Sequence, residues 1–294
     1  MITRIVTFPK MTEVMASDRR RDTALSLRKP WSQPSPHSLR RRTQPCLAFK
    51  PESREPIANR QHLQSHWLNL ELRFDERHPM NITAVIFDMD GVLIDSEPAH
   101  KLAKERAFAR FGITLSEEVY ERYKGRPDET VMNELVPSIP ELNVDAQELL
   151  RLKHQEFEAV EHLILPIAGA KEFVNWAKTK FRIALATSAT PRNRQAALLL
   201  LGLTDSFDYI VDASGFSRPK PDPEIFQIAL RGLKADPSEC LVIEDSLNGV
   251  VAAKGAGCHV AAITTSFPEA LLVSNGADYI VHNFQELQGL LGKP

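Results

Sequence analysis

From Ile82 to Phe87 the chain runs through a largely apolar stretch that stops abruptly at Asp88-Met89-Asp90-Gly91. Six residues are too few for a helix, and continuous apolar character in place of alternation predicts a strand covered on both faces, as in a parallel sheet. Asp88 then falls at the strand's carboxyl end, where open α/β sheets bind ligands in the crevice from which the loops emerge. Gly91 lets the backbone turn back. Two aspartates two positions apart project to the same side of an extended chain, so two negative charges share a small volume at neutral pH. A hard dication compensates such a pair: Mg²⁺ takes oxygen ligands, keeps several waters and leaves positions open for phosphate oxygens. A carboxylate held there can also attack phosphorus while its neighbour handles the proton. Taken alone, the stretch also reads as an Asp-rich turn.

Charge divides the chain unevenly. Residues 1–79 carry 15 Lys and Arg against 8 Asp and Glu, whereas residues 80–294 carry 21 against 30. An acidic globular part argues against broad nucleic-acid binding and suits a protein that gathers a metal ion. Cys46, Cys240 and Cys258 form no CxxC pair, which predicts neither a disulfide framework nor a Cys-based zinc site. No apolar run reaches the length of a membrane span, and the N-terminus lacks the compact apolar core of a secretory signal. The expectation is a cytoplasmic monomer acting on a small molecule, with neither nucleic acid nor a membrane as partner.

Residues 1–79 hold 8 of the 20 prolines, Arg triplets at 19–21 and 40–42, and few sustained apolar patterns. This predicts a largely disordered basic extension. Its Arg and Ser content fits an organelle transit segment, against which Asp18, Asp22, Glu52 and Glu55 count. The other reading makes Met80 the true start, since the first strand begins two residues later and nothing upstream looks needed. Leu63 to Phe74 is the one upstream segment that reads as a short helix.

After the opening strand, Leu102, Ala103, Ala107, Phe108 and Phe111 recur at helical spacing within Pro98 to Phe111, and Gly112 ends the pattern. Ser116 to Tyr123, Glu129 to Leu135 and Val144 to Val160 continue in helical register without a strand signal. A small all-helical cap over 97–165 is therefore expected, closed off by Pro166 and Gly169. Beyond it, helices Ala170 to Lys178, Arg192 to Leu201, Glu224 to Leu233 and Leu247 to Ala256 alternate with strands. The strands are Arg182 to Ala186, Tyr209 to Val211, Leu241 to Ile243, His259 to Ile263 and Tyr279 to Val281, and a terminal helix follows. Such alternation predicts an α/β fold with a parallel sheet and right-handed crossovers, formed by residues 80–96 and 166–294.

The rule that places Asp88 places three more polar clusters on the same sheet edge. Thr187 and Ser188 follow one strand, Lys220 lies in the loop after Val211, and Glu244 and Asp245 follow Ile243. A hydroxyl and backbone N–H groups beside a helix start cradle phosphate oxygens. A lysine neutralises developing charge, and a second carboxylate pair completes a Mg²⁺ site. Singly, each has a plain structural explanation: Thr187 and Ser188 capping the helix near Pro191, Lys220 solvated in a loop, Glu244 and Asp245 favoured by a helix dipole. Four such clusters on one edge outweigh these explanations.

The motifs Asp88-Met-Asp-Gly91, Thr187 after its strand, Lys220-Pro-Asp-Pro-Glu-Ile-Phe226 and Glu244-Asp-Ser-Leu-Asn-Gly249 follow one another in an order that resembles the haloacid dehalogenase superfamily. Within it, the chain is similar to the β-phosphoglucomutase-like branch with a helical cap, over about Thr83 to Val281. The resemblance implies a Rossmann-like core, a Mg²⁺ cofactor, Asp88 as nucleophile, and Asp90 as general acid and base whose main-chain carbonyl also binds metal. It further implies Asp245 as a ligand, Glu244 as a direct or water-mediated one, and Thr187, with Ser188 beside it, and Lys220 as holders of the transferring phosphate. In the cap it implies substrate contact by His100 at the hinge, by Lys153, and by the loop Lys124-Gly-Arg-Pro-Asp128, with Arg126 on it. A solvated polar helix face is the plainer reading of His100 and Lys153. A mutase of this branch is expected to carry Arg where this chain has Asp128, which favours hydrolysis. The expectation is a Mg²⁺-dependent phosphatase of a sugar or polyol phosphate, working through an aspartyl-phosphate. A phosphomutase is the alternative, and a non-catalytic phosphometabolite-binding protein the remaining reading.

Overall fold

The computed structural model describes residues 4–6 and 81–292. Of the upstream segment, Arg4–Val6 form a short strand, β1, that pairs in parallel with Ile113–Leu115 in the cap. The expectation that no upstream strand takes part is corrected for these three residues. The expectations of disorder, a transit segment and a helix at Leu63 to Phe74 otherwise lie outside the described residues.

The apolar run becomes β2 (Ala84–Phe87), all four residues fully buried. The pleat explains why the run does not alternate. Val85 and Phe87 pack into one apolar layer, with Ile183, Leu185, Leu241, Phe173 and Leu198, while Ala84 and Ile86 pack into the other, with Ala184, Val242, Phe226 and Val250. Phe87 meets the rings of Phe173 and Phe207 edge-on, each at 5.9 Å between centroids.

The cap leaves the sheet through β3 (Ile94–Asp95) and returns through β5 (Leu165–Pro166). The two form a short antiparallel pair in which Ile94 faces Pro166 and Asp95 faces Leu165. Between them lie α1 (Glu97–Ala109), β4 (Ile113–Leu115), α2 (Glu117–Tyr123), α3 (Asp128–Ser138) and α4 (Ala146–Val160). Phe108, Val119, Val131, Met132, Leu135 and Leu149 give the cap its own buried cluster. The small side chains of Ala99 and Ala103 on α1 meet Phe157 and Val160 of α4 in a second. The expectation of an all-helical cap is corrected at β4, since three residues are too few to display a period.

The remaining strands are β6 (Arg182–Ala186), β7 (Tyr209–Val211), β8 (Cys240–Glu244), β9 (His259–Ile263) and β10 (Tyr279–Val281). With β2 they form a six-stranded parallel sheet ordered β10-β9-β8-β2-β6-β7. Helices α5 (Ala170–Lys178), α6 (Pro191–Leu201), α7 (Glu224–Leu233), α8 (Leu247–Gly255), α9 (Glu269–Ser274) and α10 (Phe284–Leu291) complete the core. The chain moves outward from β2 to β6 and β7, then returns to β8 on the other side of β2. That reversal puts the carboxyl ends of β2, β6 and β8 at a topological switch point, where an α/β sheet opens a crevice. No helix among the described residues is long and apolar enough to cross a membrane.

Candidate active site

Asp88 continues β2 by donating its backbone N–H to the carbonyl of Ile243 on β8, at 3.0 Å. The residue is buried, and Lys220 Nζ donates both to Asp88 Oδ1 and to Glu244 Oε1, each at 2.6 Å. Glu244 Oε2 accepts three further hydrogen bonds at 2.9 Å, from the backbone N–H groups of Asp245 and Ser246 and from the Ser246 hydroxyl. One fully buried carboxylate thus fixes the lysine and closes the N-terminus of α8.

Two glycines make room for this arrangement. A Cβ on Gly249 would lie 1.8 Å from Glu244 Oε1, so that turn of α8 admits only glycine against the carboxylate. Gly91 has φ +78°, and a Cβ there would stand 1.8 Å from Asp245 Oδ2. The Gly91 carbonyl in turn accepts the Thr265 hydroxyl at 2.5 Å.

Asp88, Glu244 and Asp245 each bring a carboxylate oxygen within 4.8 Å of the others, all buried. Three carboxylates face one lysine, so negative charge is in excess. Burial, resisted by Lys220 and reinforced by Glu244 and Asp90, pushes the Asp88 carboxyl up to about 8. Burial, with the charges of Glu244 and Asp88, also raises Asp245 well above the usual carboxylate range. Burial works against the Lys220 ammonium, yet Asp88 and Glu244 hold it above the usual lysine range. An all-oxygen, buried and net-negative donor set fits a hard divalent cation.

Asp90 lies outside that trio. Its Oδ1 accepts the Ser96 hydroxyl at 2.6 Å. Ser96 occupies the position before α1, but its hydroxyl serves Asp90 and not the helix. Burial pushes the Asp90 carboxyl up, restrained by Ser96, Lys220 and Lys153. Thr187 is fully buried at the end of β6, with its N–H on the Val211 carbonyl and its Oγ1 accepting the N–H of Ala189, both at 3.0 Å. Ser188 is exposed. The hydroxyl that caps α6 belongs to Thr190, which accepts the N–H of Asn193 at 3.3 Å, so capping does not account for Thr187 and Ser188.

In the cap, Lys153 is 1% exposed and bonds both Asp128 Oδ2 and His100 Nδ1, the latter at 2.8 Å. Because the ammonium only donates, His100 presents Nδ1 as an acceptor. The imidazole stacks on Phe157 at 4.4 Å, and burial, then Lys153, brings it down to about 3, so it stays neutral. A solvated polar face is therefore corrected for both residues, since Lys153 is buried, His100 is half-buried and the two are partnered. Lys104 lies 3.4 Å from Asp128 Oδ1. Burial opposes the Asp128 charge, but Lys153 and Lys104 hold its carboxyl well below the usual range. Arg126 is engaged elsewhere, gripping Glu134 with two nitrogens and lying over the Tyr123 ring at 5.2 Å. The cap loop rests on the core edge, where Asn248 Nδ2 donates to the Gly125 carbonyl at 3.5 Å.

Sequence reasoning missed Ser96, Ser246, Ser266 and Lys104. Ser96 carried a signal, as a capping-type residue just before a helix with Pro at its second position. Ser266, which hydrogen-bonds Asp245, carried none.

A family model for haloacid dehalogenase-like hydrolase matches residues 82–257. The chain belongs to the haloacid dehalogenase-like hydrolases. This hydrolase is 35% identical over 176 residues to the phosphorylated carbohydrates phosphatase of Thermotoga maritima, covering 59% of this chain and 81% of that one. It is 30% identical over 212 residues to the β-phosphoglucomutase of Bacillus subtilis, covering 69% and 91%. Among solved structures it resembles CbbY from Rhodobacter sphaeroides in complex with phosphate, at 28% identity and TM-score 0.62, over 72% of this chain and all of that one. The hydrolase is an enzyme of the phosphatase and phosphomutase kind, and its family generally works with a divalent metal.

Proposed function

We propose that the hydrolase is a Mg²⁺-dependent phosphatase that frees inorganic phosphate from a small sugar or polyol phosphate by way of a phosphorylated Asp88. The observation that carries this reading is the division of labour between two carboxyls two residues apart. Asp88 is held by Lys220 inside the acidic trio, and Asp90 is held by Ser96 on the cap side.

Lys220 and the edge at Thr187 receive the phosphate oxygens, which orients phosphorus toward Asp88. An Asp88 oxygen bonds to phosphorus as the bond to the leaving oxygen breaks, and Asp90 gives its proton to that oxygen. The Asp90 carboxylate then takes a proton from water, and the resulting hydroxide displaces Asp88 from phosphorus. Burial lets Asp90 carry a proton at a pH where a solvated aspartate has lost it. Asp88, Asp245 and the Asp90 carbonyl, with Glu244 directly or through water, would hold Mg²⁺, which would supply positive charge to the phosphoryl oxygens. The test is a panel of phosphate esters with and without EDTA. Phosphate release that EDTA abolishes and Mg²⁺ restores is expected, whereas tight binding without turnover across the panel would establish a sensor. Asp90→Ala should slow breakdown of the phosphorylated enzyme more than its formation from an aryl phosphate, and rapid quench should trap the intermediate. Finding none would remove Asp90 from that role.

The similarity to a β-phosphoglucomutase keeps phosphomutase as the second reading. A mutase must exclude water and grip a second phosphate on the cap, for which a guanidinium is the best tool. Arg126 is paired with Glu134, and Asp128 stands between two lysines. With β-glucose 1-phosphate and a bisphosphate primer, inorganic phosphate should therefore appear faster than glucose 6-phosphate. Dominant isomerisation that Arg126→Ala removes selectively would make the enzyme a mutase.

A further inference from the structure

The residue that protonates the leaving oxygen marks the side on which the alcohol part of the substrate lies. Asp90 is tied to Ser96, and the Ser96 carbonyl accepts the N–H of His100 at 3.0 Å, one turn into α1. His100 meets Lys153 at 2.8 Å, and Lys153 meets Asp128. Asp90 and Lys153 are close enough for each to respond to the other's charge. The cluster of His100, Lys153, Asp128 and Lys104 therefore stands on the leaving-group side of the site.

Its charge decides what it accepts. Lys153 is enclosed, with its positive charge opposed by Asp128, and Lys104 approaches the other oxygen of the same carboxylate. Removing Asp128 would leave two ammonium groups side by side, a natural seat for a phosphate or carboxylate. With Asp128 in place, one of the two positive charges is cancelled, and a second anion would approach a carboxylate already shared by both lysines. Hydroxyls suit the paired arrangement, because they donate to the carboxylate and accept from the ammonium without adding charge. We propose that Asp128 determines specificity: by pairing with Lys153, it makes the cap select a leaving group bearing neutral hydroxyls over one bearing a second phosphate or a carboxylate. This rests on the phosphatase reading above and names the substrate class within it.

The test separates binding from chemistry. In full-length protein carrying Asp88→Asn to prevent turnover, calorimetry with Mg²⁺ gives dissociation constants for fructose 1-phosphate and fructose 1,6-bisphosphate, which differ by one phosphate. Asp128→Asn should shift the ratio of the two constants at least about tenfold toward the bisphosphate. Lys153→Met should shift it about as far the other way, since specificity is a difference of affinities. Opposite shifts are what a merely structural role would not produce. Ratios that stay put, or that move together, overturn the proposal. If Asp128→Asn gives no cooperative melt, the Lys153→Met shift decides alone. Phosphate release by the unmodified enzyme from p-nitrophenyl phosphate tests the catalytic reading separately. An enzyme that hydrolyses this ester but binds neither sugar phosphate overturns the inference alone, and opposite shifts in a protein that hydrolyses no ester overturn the phosphatase alone.

Discussion

Asp88→Asn should reduce phosphate release by about 10⁴-fold or more while leaving the fold intact, because an amide cannot form the bond to phosphorus that a carboxylate forms. The amide keeps an oxygen for Lys220 and fills nearly the same volume. It also removes one of three crowded carboxyls, where burial and then the neighbouring acids already push the Asp88 group up. The melting temperature in metal-free buffer should therefore hold or rise as activity disappears, which separates lost chemistry from lost structure. Near-normal turnover of an aryl phosphate by this variant would overturn Asp88 as nucleophile.

Gly249→Ala should damage the same site from behind. In a helix, exchanging Gly for Ala ordinarily stabilises by up to about 1 kcal/mol. Here the added methyl would stand 1.8 Å from Glu244 Oε1 and 1.9 Å from its carboxyl carbon, so the carboxylate must move. Once displaced, it leaves Lys220 with a single partner and strips the N–H groups of Asp245 and Ser246 of their acceptor. The expected stability loss exceeds the ~1–3 kcal/mol of ordinary overpacking. Loss of a positioned cation should lower kcat by about 10²-fold or more. Gly289→Ala is the control, since that helical glycine has nothing within 4 Å of the added Cβ. Its melting temperature should rise slightly as that of Gly249→Ala falls. A neutral Gly249→Ala would mean that Glu244 does not need its present position.

What the sequence could reveal depended on how much of the signal was local. The strands Arg182–Ala186, Tyr209–Val211 and His259–Ile263, and the helices Ala170–Lys178 and Glu224–Leu233, lie where apolar runs and helical spacing place them. The carboxyl-end rule brought Asp88, Lys220, Glu244 and Asp245 to one edge, and in the structure they touch or nearly touch. Elements of two or three residues, such as Ile94–Asp95 and Ile113–Leu115, are too short to show a period and form only because a partner segment is present. The pairing of Lys153 with Asp128 joins two helices across 25 positions, and nothing local to either residue announces it. Arg126 shows the same limit. Position on a loop says where a guanidinium starts, and Glu134, one helix further on, decides where it ends.

The short ribbon of Ile94–Asp95 against Leu165–Pro166 has a consequence for how such an enzyme changes over generations. Both chain crossings between the sheet and the cap pass through these four residues, and the cap keeps apolar clusters of its own. Substitutions between 97 and 164 can therefore accumulate with little strain on the strands that hold Asp88, Thr187 and Glu244. On the phosphatase reading proposed above, which alcohol is released and whether phosphate can be transferred at all are then carried on separate stretches of chain. Descendants of one ancestor can drift to new substrates while inheriting the chemistry unaltered.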